Sequence, residues 1–320
     1  MSIYQLLVKF IRHSGSIPVC LNRVSQYICR TTIGEKMENE FTQTIHSDFL
    51  IHWTGWKIDR DLDPAWKPEK VSRDMPGKAV DAYILRLKNI LKFGFWMTMG
   101  DGSEKIQVNN KIFVKPLVAR TCFTELKLSE VRKHAKKFGR LGIGLKRYYV
   151  FDRLGGPMHY LQSETENLFF PPYSSLCSDD FEMISFYKHM CSRRPLTYDL
   201  FSESEWRIIF SEKIKKRIQT RHPDRLSRFI DPKDTDNNNK ELLDFYYSID
   251  GRKPEYFLPL DGWLAIIIYP TPEVKIKARN DPEIEKLIRA VKATKTVTGC
   301  PSYEYIMWPI EVDLDACSHF

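Results

Sequence analysis

Long apolar runs are missing from this chain of 320 residues. A membrane-spanning helix needs roughly 20 consecutive apolar residues. The longest apolar stretch, Trp263 to Tyr269, suits a buried strand instead, so no transmembrane segment is expected. Cysteine is sparse and unpatterned. The seven residues Cys20, Cys29, Cys122, Cys177, Cys191, Cys300 and Cys317 form no C-x-x-C and no zinc-type spacing. A chain this long with 42% hydrophobic residues builds a core without a disulfide framework. Reduced thiols, a cytoplasmic location and no bound metal are therefore expected. Fifteen glycines and 18 prolines are too few for collagen-like or Pro/Gly-rich material, and the apolar fraction excludes a disordered chain.

Acidic residues are nearly absent from the first 36 positions. Lys9, Arg12, Arg23, Arg30 and Lys36 stand there against Glu35 alone, so this segment carries half of the net charge of +8. The rest is nearly balanced, which gives little support to a nucleic-acid partner. Ile3, Leu6, Leu7, Phe10 and Ile11 form one apolar helical stripe beside Lys9 and Arg12. Three readings stand: a segment resembling a mitochondrial presequence, a dispensable leader upstream of a second start at Met37, or a short helix binding weakly at a membrane surface. On this basis residues 1–46 form a basic extension and residues 47–320 a single domain.

Within that domain, residues 48–55 read as a short buried strand ending at Gly55, residues 60–78 as a long proline-bearing loop, and residues 81–93 as a helix closed by Gly94. Ser129 is placed to cap a helix over residues 130–138, which Gly139 ends. Strands follow at 143–151, 205–210, 263–269 and 303–312. Asp281-Pro282 starts a helix over 283–291. The order predicts an α+β fold with an interrupted mixed or antiparallel sheet flanked by helices.

Few side chains carry chemistry. Gly139-Arg-Leu-Gly-Ile-Gly144 follows a helix and precedes a strand, the reverse of a phosphate-binding loop. These glycines are expected to cap and to permit close packing. Cys122 reads as a buried structural thiol or as a nucleophile paired with a distant histidine. Cys317-Ser-His319 is expected to fray. His52 is either a satisfied core histidine or a ligand contact beside the open backbone of Gly55. In Glu203-Ser-Glu205-Trp-Arg207, the alternatives are a charged solvent edge or a carboxylate held in a cleft and oriented by Arg207.

Three stretches carry a family resemblance. They are Phe49-Leu-Ile-His-Trp-Thr-Gly55 with residues 84–96; Cys122-Phe-Thr-Glu-x-x-Leu-Ser129 with His134 and residues 138–144; and Glu203-Ser-Glu-Trp-Arg-Ile208. Over about Phe49 to Ala290 the chain resembles the bacterial abortive phage infection family AbiGi. That resemblance implies phage defence, as the antitoxin of a two-gene system whose toxin partner is nucleotidyltransferase-like. The opening strand and helix also resemble ADP-ribosyltransferase folds. This second resemblance implies NAD as cofactor, Glu205 and His52 as catalytic residues, and His52, Thr54, Gly55 and Thr124 as cofactor contacts. Glu205 would hydrogen-bond the nicotinamide ribose and stabilise an oxocarbenium-like state. The target would be a nucleic acid or a protein. The family's middle Ser-Thr-Ser or Tyr motif is absent, with Cys122-Phe-Thr124 in its place.

Overall fold

The computed structural model describes residues 49–68, 74–100, 105–108, 111–125, 128–162, 181–190, 204–234, 239–294 and 308–319. By its contacts the chain divides at Ile45/His46, and the description concerns the second part. Its elements, in chain order, begin with β1 (Phe49–Thr54), α1 (Trp56–Leu62), α2 (Gly77–Phe93), β2 (Phe95–Met99), β3 (Lys105–Val108), β4 (Lys111–Val114) and β5 (Ala119–Thr124). Then come α3 (Val131–Phe138), β6 (Leu141–Lys146), α4 (Tyr148–Asp152), β7 (Gly156–Pro157), β8 (His159–Gln162), β9 (Tyr187–Met190) and β10 (Glu205–Phe210). The remainder is α5 (Glu212–Arg221), α6 (Lys240–Ser248), β11 (Tyr256–Leu258), β12 (Leu264–Tyr269), α7 (Pro272–Arg279), α8 (Pro282–Ala293) and β13 (Ile310–Asp313). The fold is α+β with a mixed sheet.

Nine strands join in one sheet. Its path runs β11-β2-β5-β1-β6-β12-β13, with β10 on β5 and β7 on β10. Every pair in it is antiparallel except β12 with β13. β10 lies along all six residues of β5. β1 meets β5 at Ile51↔Thr124 and β2 meets it at Thr98↔Arg120. A strand has two edges, so β1 and β2 share the edge that β10 leaves free. The sheet forks there, around Thr121 to Phe123.

Both faces of the sheet are buried. On one, Leu50, Phe123, Ile143, Leu145, Trp206 and Ile208 pack against α2, α7 and α8. In α2 the residues Val80, Tyr83, Ile84, Leu87, Ile90 and Leu91 recur every three to four positions and supply the covering stripe. On the other face, Ile51, Trp53, Ile266 and Ile268 pack against Val131 and Ala135 of α3 and against Leu314 and Cys317.

Several sequence expectations shift. The loop expected over 60–78 is shorter at both ends, since Arg60 to Leu62 close α1 and Gly77 and Lys78 open α2. The long strand expected over 143–151 is β6 followed by the single helical turn α4, because the chain leaves the sheet at Arg147. Helix α3 starts at Val131 without a side-chain cap, and Ser129 lies in a preceding 3-10 turn. Cys317 does not fray; it is fully buried. The glycine cluster does what its order suggested: Gly139 closes α3, donating its N–H to Ala135 at 2.7 Å. The N-terminal stripe, Glu203, residues 303–307 and Cys20, Cys29, Cys177, Cys191 and Cys300 lie outside the described residues.

Candidate functional site

Register decides how the two proposed catalytic residues relate. Directly paired residues share a face, and successive residues alternate. Ile51 pairs with Thr124 and Thr124 with Glu205, so these three point to one face. His52, Phe123 and Trp206 point to the other. The contacts agree: the His52 ring packs against Phe95 and Phe123, with centroids 4.6 and 5.8 Å away. The sheet itself separates His52 from Glu205, so they do not line one substrate cleft.

Glu205 is 8% exposed, which removes the solvent-edge reading. Its Oε1 accepts from Arg207 Nε at 2.6 Å and its Oε2 from Lys188 Nζ at 2.5 Å. The Cys122 thiol also donates to it. Arg207 Nη1 in turn donates to the Ser185 carbonyl at 2.7 Å. Burial alone would raise the Glu205 carboxyl. The charges of Arg207 and Lys188 and their hydrogen bonds outweigh burial and hold the pKa down at about 2. This carboxylate is therefore an anion at neutral pH with both oxygens occupied. Arg207 orients it, as the two-residue spacing suggested, but as part of a buried ion-pair network. Lys188, on a distant strand, carried no sequence signal. Burial, followed by the Glu205 charge, pushes the Cys122 thiol up to about 12, which rules out a thiolate nucleophile at neutral pH.

His52 sits in the fork. Its Nδ1 is 2.9 Å from the Cys122 carbonyl. A carbonyl only accepts, so Nδ1 carries the proton. The bond satisfies β5 backbone where neither β1 nor β2 pairs with it. Beside it, Thr121 Oγ1 donates to the Trp96 carbonyl at 3.0 Å. Burial lowers the His52 pKa to about 4 against the pull of the Cys122 carbonyl, and Arg86 lowers it further. Arg86 lies over the Trp96 ring at 4.4 Å. His52 is a neutral, hydrogen-bonded structural histidine.

The proposed cofactor contacts are also taken up internally. Gly55 has φ 108, and an added Cβ would lie 2.4 Å from Tyr83 Cε1. Tyr83 fills the opening that the sequence suggested for a ligand. Its hydroxyl donates to Asp59 at 2.6 Å and lies 3.3 Å from the Gly55 carbonyl. Beneath it the fully buried Arg140 donates to Asp59 at 2.7 Å and to Asp63 at 2.6 Å. Thr54 pairs with Leu141 on β6, and its carbonyl packs against Gly139. Thr124 is 2.8 Å from His134 Nε2 through its hydroxyl.

A cavity of about 360 Å³ lies elsewhere, between α7, α8 and β13, with Trp308 on its wall. Its polar groups are mutually engaged. Glu311 accepts from Tyr269, Arg279 and Trp308, and Arg289 is bound to Glu285. Among the described residues no cluster of His, Cys, Asp or Glu has the makings of a metal site, and no helix is long and apolar enough to cross a membrane. In comparisons with protein-family models, curated proteins and solved structures, nothing matches this chain.

Proposed function

We propose that this chain acts by binding, as a cytoplasmic component of a bacterial abortive-infection system that holds or regulates a toxin partner. The role comes from the AbiGi resemblance. The choice of binding over NAD chemistry rests on one observation: His52 and Glu205 point to opposite faces of the sheet. An ADP-ribosyl transfer needs both against one dinucleotide. Glu205 is also buried and already accepts from Arg207, Lys188 and the Cys122 thiol, which leaves little of it open to a ribose hydroxyl. The free thiols of Cys122 and Cys317 suit a reducing compartment.

The test pairs two measurements on the full chain. Phage plating is compared on bacteria carrying the chain with and without its genomic neighbours, and nicotinamide release from NAD is followed for the purified protein beside Glu205→Gln. The binding reading expects restriction of plating that depends on a neighbouring gene, with no nicotinamide released. Release by the wild type that disappears in Glu205→Gln, with the variant still folded, overturns it in favour of a transferase.

A further inference from the structure

One end of the sheet carries a chain of linked aromatic rings that the fold does not use up. Tyr148 opens α4 and stacks on Trp263, with centroids 6.0 Å apart and planes 24° from parallel. Tyr148 meets Phe151 edge-on at 6.4 Å, and Phe151 meets Trp206 at 5.7 Å. Trp206 is core, but Tyr148 is 58% and Phe151 45% exposed. Burying rings is among the strongest drives in folding, so two exposed neighbours, Tyr148 stacked on Trp263 and Phe151 edge-on to Trp206, stand out. Neither Tyr148 Oη nor Trp263 Nε1 has a hydrogen-bond partner among the described residues.

The charge around the rings has one sign left over. Each nearby carboxylate already holds an arginine: Glu125 pairs with Arg147, Asp152 with Arg228, and Asp261 with Arg153. Lys146, two residues before Tyr148, is exposed and touches the Phe49 ring at 5.2 Å, with no carboxylate partner among the described residues. Lys292 donates to the carbonyl of Leu264, the residue after Trp263, at 2.9 Å. It too has no carboxylate partner among the described residues. Burial, and then the charge of Lys146, lowers the Lys292 pKa. Arg147 lies over the Trp206 ring at 5.4 Å.

We propose that Tyr148, Phe151 and Trp263 form a stacking platform for single-stranded nucleic acid, with Lys146 and Lys292 taking backbone phosphates. Exposed rings give any base a π-face, and flanking cations track the phosphates, which is the common design of sequence-tolerant single-strand binding. A duplex keeps its bases stacked inside and offers the rings nothing. The inference is independent of the defence role, since neither His52 nor Glu205 takes part.

Fluorescence anisotropy of labelled single-stranded DNA and RNA oligonucleotides, with a duplex control, tests it on the full chain. The expected result is binding at low salt that favours single strands over duplex. Tyr148→Ala should weaken it about 10-fold, the lower part of the range for one lost base stack, while Tyr148→Phe keeps it. Lys146→Gln should make the dependence of log K on log salt shallower by about 0.7. Tyr148 is mostly solvent-exposed, so circular dichroism should show these variants folded. Absent binding, equal binding to duplex, or unchanged affinity in the combined Tyr148→Ala, Lys146→Gln variant overturns the proposal. The last outcome would assign the affinity to another surface, such as the basic first 36 residues.

Discussion

At the scale of single residues, Glu205 shows how the same side chain supports opposite readings. In sequence it is a carboxylate two positions before an arginine, and that spacing correctly gives the Glu205–Arg207 contact. The third member, Lys188, comes from a strand 17 residues upstream, and no local pattern marks it. Nor does a local pattern tell which face of the sheet a strand residue takes relative to another strand. Alternation along β1 and along β10 is readable; their common register through β5 is not. That one missing fact separates a transferase site from a structural network. The network has a measurable signature. Glu205→Gln leaves the nearly buried Arg207 without its counter-charge and should lower unfolding free energy by about 3 kcal/mol, read as a shift in urea midpoint. Replacing both partners together, as Glu205→Leu with Arg207→Met, should cost less than the sum of the single changes. Additive losses would mean that the pair is not coupled.

At the scale of elements, the legible ones carry their own end signals. Helix α8 was readable because Asp281 caps it, accepting from the N–H of Glu283 at 3.0 Å and of Ile284 at 3.4 Å, with Pro282 next. Asp281 also pairs with Lys88 on α2 at 2.7 Å. Asp281→Ala should therefore destabilise by about 1 to 2 kcal/mol, visible as a lower thermal midpoint. Strand β10 was readable from its six-residue pattern. Helix α4 was not, because the aromatic and β-branched Tyr148-Tyr-Val-Phe151 has the composition of a strand and neither Gly nor Pro separates it from β6. Helix α1 hid behind Pro64 and Pro68, which fall just past its end. The glycines of β6 are a packing requirement. A Cβ on Gly144 would lie 2.1 Å from Ile266 Cγ2 on β12. Gly144→Ala should cost about 1 to 3 kcal/mol through overpacking, measured by chemical denaturation.

At the scale of the molecule, two buried groups shape the acid response. His52 has a folded pKa of about 4 against 6.5 when free. Between those values the unfolded chain binds the proton more readily, so stability is whole above pH 6.5 and declines as pH falls toward 4. The full shift corresponds to about 3 kcal/mol. Glu205 has a folded pKa of about 2 against 4.5, so its contribution is whole above pH 4.5 and is lost as pH falls through 2. Thermal midpoints measured from pH 7.5 to 3 should fall in two stages. His52→Gln should flatten the upper stage and leave the lower. A profile that His52→Gln leaves unchanged would place the upper stage on another group.

The fork at β5 has a consequence for how the sheet comes apart. Treated as a network, with strands as nodes and ladders as links, the nine-stranded sheet has β5 as its three-way junction. Delete it and three disconnected fragments remain: β11 with β2, β10 with β7, and β1 with β6, β12 and β13. Each fragment can swing open on its own without breaking a ladder in the other two, whereas exposing β5 requires all of them to let go. Its amides are therefore the natural clock of global unfolding, and hydrogen–deuterium exchange should find them slowest among the described strands.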